Sequence, residues 1–252
     1  MFVITPAELE KRGRIRFPAD KSFRSARYLT ADDTMGFSYN ENSVANGTDL
    51  IVWLKHHWEA NYILSGEGEV TDLTNGRTWP LEPGVLYVVG PNDRHRLQFT
   101  KDERHLSIFW PPLRGNERFD EDGSYEASGP TPKTDRRMFV RHVNEMEAAD
   151  QVTTSTNGQI RITHMLTEEV DTGFVLSEMR VCAGSEVRLS SERHHQANHV
   201  IGGSGDLTDI STGQTWELMP SMAYCVGPND HYRLFASEAL QILSISASAK
   251  NQ

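Results

Sequence analysis

The chain carries the same sequence twice. Residues 59–99 and 196–236 align without a gap at an offset of 137, with about 19 of the 41 positions identical, far more than ordinary composition yields by chance. The same offset pairs Gly36-Phe37 with Gly173-Phe174 and Gly47 with Gly184, so the repeat runs over about residues 23–109 and 160–246. Whatever fold the chain adopts must therefore close on roughly half its length and be built twice. A length of 252 residues accommodates two units of about 125 residues each. Between the repeats lies PPLRGNERFDEDGSYEASGPTPKTDRR, polar and rich in proline and glycine, which reads as a loop followed by a linker. The expected division is residues 1–130, with a lid-like loop at 111–126, and residues 131–252.

Within each copy the pattern is that of short strands. ANYILS, EVTDL, RTWPL, VLYVV, HRLQF and HLSIFW are rich in β-branched and aromatic residues, and SGEG, TNG, EPG and GPND separate them with tight-turn chemistry. Regularly spaced short strands indicate an all-β sandwich or barrel. Helix is expected only in TPAELEKR near the start and VNEMEAADQV near residue 147, both outside the barrels.

Charge narrows the choice of partner. The 25 basic and 35 acidic residues leave a net −10, which repels a polyanion and favours a small-molecule partner over nucleic acid. The basic stretch Lys11, Arg12, Arg14, Arg16, Lys21, Arg24 and Arg27, opposed only by Asp20, reads as a solvated arm with one functional arginine, since no aromatic stacking platform accompanies it. No run of about 18 apolar residues is present, and the apolar part of the N-terminus is too short for a signal peptide. The two cysteines, Cys182 and Cys225, form no disulfide framework. A cytoplasmic protein with no membrane partner is expected.

The spacing Gly47-x5-Trp53-x-Lys55-x3-Glu59-x6-Gly66 resembles the first cupin motif, with Trp and Lys in its two histidine positions. Gly76, Pro83-Gly84 and Gly90-Pro91-Asn92-Asp93-Arg94-His95 resemble the second. The fold expected is two tandem cupin jelly-roll barrels. Cupins hold a metal inside the barrel, and the first copy keeps Glu59 and His95 for it. Tyr87 lies on the strand between them. Alternation groups Tyr87 with Val85 and Val89, and His95 with Leu97 and Phe99. An inward Glu, Tyr and His would form an N/O site with open positions, suited to iron(II), manganese or zinc. The alternative is structural: a half-buried strand tyrosine, a turn carboxylate and a histidine at the barrel mouth.

More specifically, residues 20–126 resemble the ectoine synthase family. The segments that carry the resemblance are Lys55-His56-His57-Trp58-Glu59-Ala60-Asn61-Tyr62 with Gly66-Glu67-Gly68-Glu69-Val70, Arg27-Tyr28-Leu29-Thr30-Ala31-Asp32-Asp33 with Met35-Gly36-Phe37-Ser38, and Gly115-Asn116-Glu117 with Glu121-Asp122-Gly123-Ser124-Tyr125. The resemblance implies a hydro-lyase that closes N-γ-acetyl-diaminobutyrate into a ring with loss of water. It also implies iron(II) on Glu59, Tyr87 and His95, with manganese or zinc as the other metals the donors suit. Phe23, Arg27 and Phe109 fall on substrate-binding positions, to which Trp53 and Ser107 are added. Glu117, with Tyr87, is the candidate catalytic group. Three departures accompany these matches: Leu54, Ser107 and Phe119 stand where the family has a tyrosine, a cysteine and a histidine.

The second copy replaces Glu59, Tyr87 and His95 by Gln196, Tyr224 and Tyr232, a poor set for a divalent ion. His194 and His231 are the residues for a relocated site. Counting by the offset, the second copy stops where the first begins its GNE segment, so no second lid is expected. The family forms cupin homodimers; the fused pair would supply that partner covalently, with homodimerisation of the whole chain as a further expectation. Two other functions fit the residues: a non-catalytic bicupin binding a small metabolite, and a metal cupin carrying out an elimination or oxygenation.

Overall fold

The computed structural model describes residues 1–17, 23–191 and 194–248; Asp20 and Lys21 of the basic stretch lie outside them. Two units result, Leu9–Val143 and Met1–Glu8 with Asn144–Gln252. Each is a pair of antiparallel sheets packed face to face.

In the first unit a seven-stranded sheet runs in the order Phe139–His142, Val85–Val89, Trp58–Ser65, Glu103–Trp110, Ser38–Val44, Phe23–Leu29, Ile15–Arg16. A four-stranded sheet, Asp49–Val52, His95–Phe99, Gly68–Asp72, Thr78–Leu81, faces it. The runs picked out by their β-branched and aromatic content are these strands. Val85, Tyr87 and Val89 from the large sheet and Val70, Leu81, Leu97 and Phe99 from the small one form a single buried cluster, as expected of inner faces that alternate with outward residues. The second unit repeats the plan. Its large sheet is ordered Phe2–Ile4, Ala223–Val226, Gln196–Gly202, Leu240–Ala247, Phe174–Val181, Ile160–Leu166, Val152–Thr154, and its small one Glu186–Ser191, Asp230–Ala236, Gly205–Asp209, Thr215–Leu218. The fold is all-β: two jelly-roll cupins with the two short helices Pro6–Lys11 and Val143–Ala148.

The duplication extends to individual hydrogen bonds. Thr71 and Thr78 pair through their hydroxyls at 2.9 Å and Thr208 and Thr215 at 3.0 Å. The amides of Gly90 and Gly227 donate to Asp93 at 2.8 Å and Asp230 at 2.7 Å. Gly66 and Gly203 persist in both copies because each holds a positive φ (94° and 76°), and an added Cβ would fall 2.5 Å from the Asp102 carbonyl oxygen or 2.1 Å from that of Ala239. No other residue fits either demand.

The unit boundary departs from the expected division at residues 130 and 131. The chain beyond 130 stays with the first unit: Arg137 donates to the Asn92 carbonyl and to Asp72, and Phe139–His142 then pairs with Val85–Val89, Val140 opposite Tyr87. The opening residues belong to the other unit, where Phe2–Ile4 pairs with Ala223–Val226, Val3 opposite Tyr224. These pairings are the same event in the two copies, since Met1-Phe2-Val3 recurs as Met138-Phe139-Val140 at the common offset of 137. The repeat therefore reaches back to Met1 and Met138, and each copy gives this strand to the other copy's large sheet. The proline- and glycine-rich composition marked a linker, and composition carries no trace of an edge strand a few residues further on. Among the described residues no helix is long and apolar enough to cross a membrane.

Candidate active site

A cavity opens between the sheets of the first unit. The strand Glu103–Trp110 turns His105, Ser107 and Phe109 into it, every second residue. Glu59 enters from Trp58–Ser65, Tyr87 from Val85–Val89 and His95 from the small sheet, and all three line the same space. Phe23, Phe119 and Tyr125 also line it. The rings of Phe119 and Tyr125 stack at 4.4 Å and 12°, with Phe23 tilted against Phe119 at 6.4 Å. Loop 111–126 thus contributes an aromatic cover. It is held by Lys55, which bonds Asp120 at 3.0 Å and also pairs with Asp122, and by the Ser124 hydroxyl, which accepts from the Lys55 amide at 3.1 Å.

Three candidate residues sit elsewhere. Trp53 is half-buried, its indole donating to the Pro91 carbonyl at 2.7 Å, and is not among the lining residues. Glu117 accepts from the Arg114 amide and from the Gly115 amide at 2.8 Å, and its Oε2 lies 3.7 Å from Arg27 Nη1. Neither Arg27 nor Glu117 lines the cavity. Arg27 is buried with Nε and Nη1 making no hydrogen bond. Burial lowers its pKa, and Tyr125 and Glu117 oppose that shift. Elsewhere in the basic stretch, Arg14 is committed to Asp33.

The geometry at His95 meets a metal's requirement. The ring is 1% exposed, its Nδ1 lies 3.1 Å from the Asp93 carbonyl, and its Nε2 is buried without a hydrogen-bond partner. A proton on Nδ1 donated to the carbonyl leaves a bare lone pair on Nε2, the arrangement typical of a metal-ligating histidine. Burial pushes the His95 pKa down to about 4, so the ring is neutral near pH 7. Burial also raises the Glu59 pKa, opposed by hydrogen bonds to Asn61 and Ser107 and by His105, and raises that of Tyr87. Carboxylate, phenol and imidazole together form a hard-to-borderline donor set. Among the described residues no three His, Cys, Asp or Glu side chains converge on a metal position, so a metal here requires the Tyr87 oxygen as well.

Sequence reasoning missed a polar wall. His105 Nδ1 lies 2.7 Å from Glu103 Oε2, with side chains 8% and 0% exposed. Its Nε2 is 3.1 Å from Asn42 Nδ2; Asn42 donates to the Ser107 hydroxyl at 2.9 Å, and Ser107 donates to Asn61. Burial disfavours charge on His105, but Glu103, then Glu59 and Glu41, outweigh it and raise the pKa above the ordinary value. Parity with Ser107 and Phe109 was the available signal for His105.

At the equivalent positions the second unit is filled. Tyr224, Tyr232, Met179, Leu240 and Ile242 belong to one buried apolar cluster, and the two tyrosine rings meet at 5.7 Å. His231 is exposed and His194 half-buried.

The ectoine synthase family profile matches residues 1–129 and again 138–249. The chain belongs to the ectoine synthase family. The two matched spans start at residues 1 and 138, in step with the common offset of 137. This family member is 38% identical over 125 residues to the L-ectoine synthase of Saccharophagus degradans, an alignment covering 50% of this chain and 93% of that one. It is 35% identical over 125 residues to the L-ectoine synthase of Halomonas elongata, covering 50% and 91%. These L-ectoine synthases are thus about half its length. Among solved structures, the Escherichia coli protein Ylba superposes with a TM-score of 0.69 at 10% identity, covering 99% of this chain and 90% of that one. A mutant of Bacillus subtilis oxalate decarboxylase superposes at 0.68 and 14%, covering 98% and 77%. At such identities the likeness is one of fold: the bicupin.

Proposed function

We propose that the first barrel is a metal-dependent cyclase that closes N-γ-acetyl-diaminobutyrate, or a zwitterion of the same shape, with loss of water. The observation that carries the reading is the buried His95 Nε2 without a hydrogen-bond partner, on a ring lining the cavity that Glu59 and Tyr87 also line. Glu59, Tyr87 and His95 would hold the metal, with iron(II) the leading candidate and manganese or zinc also suited to the donors. A cupin of this fold, Bacillus subtilis oxalate decarboxylase, has Mn(II) centres. When bound, the ion supplies Lewis acidity toward an amide carbonyl.

The chain's own residues supply the rest. Phe109, Phe23 and the Phe119–Tyr125 stack exclude water and fold the substrate so that its amine meets its own amide carbon, a proximity effect of the kind worth several orders of magnitude in rate. Arg27 has donors to spare for a carboxylate, the group a guanidinium binds best. Leu54 and Phe119 make the cavity less polar than the family pattern implies, which favours a compact, largely apolar acyl end on the substrate.

The test is metal analysis of the purified protein followed by incubation of the iron-loaded form with N-γ-acetyl-diaminobutyrate. About one metal per chain and the appearance of ectoine are expected. Bound substrate without turnover would point to a metabolite-binding bicupin, oxygen uptake to a different metal-cupin reaction, and either overturns the cyclase.

A further inference from the structure

Ring closure needs a group that moves protons. As the amine attacks the amide carbon, a C–N bond forms and nitrogen must lose protons; as the C–O bond breaks, oxygen must gain them to leave as water. Glu59, Tyr87 and His95 are committed to the metal in the proposed reading, and Glu117 is committed to loop amides and Arg27. Of the titratable groups lining the cavity this leaves His105 and Tyr125, and burial raises the Tyr125 phenol far above working pH.

We propose that His105, held by Glu103, is the proton shuttle of the cyclisation. Its Nε2 takes a proton from the substrate ammonium, which frees the lone pair that attacks the amide carbon, and passes that proton to the carbonyl oxygen; a second transfer from the same nitrogen lets the oxygen leave as water, and the imidazole finishes as it began. The geometry provides each element of this. Glu103 fixes the ring by accepting from Nδ1, which leaves Nε2 with the lone pair. Asn42 lies opposite His105 in strand register and donates to that nitrogen in the closed cavity, a contact that a substrate nitrogen can replace. Glu103 is buried, its Oε2 on the imidazole and its Oε1 without a hydrogen bond, and it stabilises the imidazolium as it forms.

The duplication supplies the control. In the second copy the positions of Glu103, His105 and Asn42 are Leu240, Ile242 and Met179, all buried in apolar core. A cupin of this sequence lineage therefore closes well with hydrocarbon there, and a buried carboxylate–imidazole pair in its place is costly. In the first copy the pair stands on the strand that lines the cavity.

This inference rests on the cyclase reading, and the experiment separates the two. Steady-state kinetics of the iron-loaded wild type, His105→Gln, Glu103→Gln and His105→Ala are compared, with substrate affinity measured by calorimetry. His105→Gln is expected to lose about 10²–10⁴-fold in kcat with substrate affinity and metal content retained. In Glu103→Gln the acid limb of the kcat profile moves to lower pH, because the imidazolium loses its carboxylate. Added imidazole restores part of the activity of His105→Ala, which a purely structural histidine would not allow. A kcat within about threefold of wild type in His105→Gln, or no rescue of His105→Ala, overturns the shuttle alone. Wild-type protein that leaves the substrate unchanged overturns the cyclase and the shuttle with it.

Discussion

Glu117 Oε2 stands 3.7 Å from Arg27 Nη1, and the two side chains are 5% and 9% exposed. The pair ties loop 111–126 to the strand Phe23–Leu29. Glu117→Ala leaves a guanidinium buried without its carboxylate and two loop amides without their acceptor, and losing one partner of a buried pair costs about 3–5 kcal/mol. A lower melting temperature and faster proteolytic cleavage within 111–126 are expected. An unchanged cleavage rate would show that the loop is held by Lys55 and Ser124 alone.

The Phe119–Tyr125 stack closes the cavity from outside. An aromatic pair contributes about 0.5–1.5 kcal/mol beyond its buried area, so Phe119→Ala should raise KM by about threefold to tenfold with little change in kcat. A Phe119→His variant tests the departure from the family pattern directly: recovery of turnover on N-γ-acetyl-diaminobutyrate above wild type would mark Phe119 as the residue that shifts substrate preference.

Metal content should depend on one copy only. Glu59→Ala and His95→Ala are each expected to abolish bound metal in elemental analysis, whereas Tyr224→Phe leaves it unchanged. Chelation should lower the melting temperature of the wild type, since a ligand that binds only the native state stabilises by mass action, and should not affect His95→Ala. Metal retained in both alanine variants would remove Glu59 and His95 from the site.

Acid stability should reflect Asp33. Its carboxylate receives Arg14 Nη1 at 2.8 Å and Nη2 at 3.1 Å and the Thr30 amide at 2.8 Å; burial pushes its pKa up, but these bonds outweigh burial and hold it below the ordinary value. A depressed carboxylate stabilises the fold above the unfolded-state pKa of about 3.9 and loses that contribution as pH falls through its folded value. The gap in melting temperature between wild type and Asp33→Asn should be full at pH 6 and shrink below about pH 4. A gap independent of pH would contradict the assignment.

Much of this molecule could be read from residues alone because duplication printed it twice. Alternation in VLYVV and HRLQF grouped Tyr87 with Val85 and Val89 and His95 with Leu97 and Phe99, and Tyr87 and His95 both line the cavity. Two kinds of feature escaped. His105 and Glu103 were overlooked because a buried ion pair on a strand looks like any alternating polar pattern until the facing sheet is known; parity with Ser107 and Phe109, and the hydrocarbon of Leu240 and Ile242 at the common offset, were the signals. The surroundings of Trp53 and Arg27 were hidden for another reason: a motif position says nothing of the partner a side chain finds, here the Pro91 carbonyl for the indole and Glu117 for the guanidinium.

The exchange of first strands makes the halves of this chain inseparable by a single cut. Cleavage between residues 130 and 131 strips Phe139–His142 from the sheet of one unit and Phe2–Ile4 from the other, leaving Val85–Val89 and Ala223–Val226 as raw edges open to pairing with foreign strands. An autonomous first cupin needs Leu9–Val143, and the second is recovered as one polypeptide only by circular permutation, with Met1–Glu8 grafted ahead of Asn144.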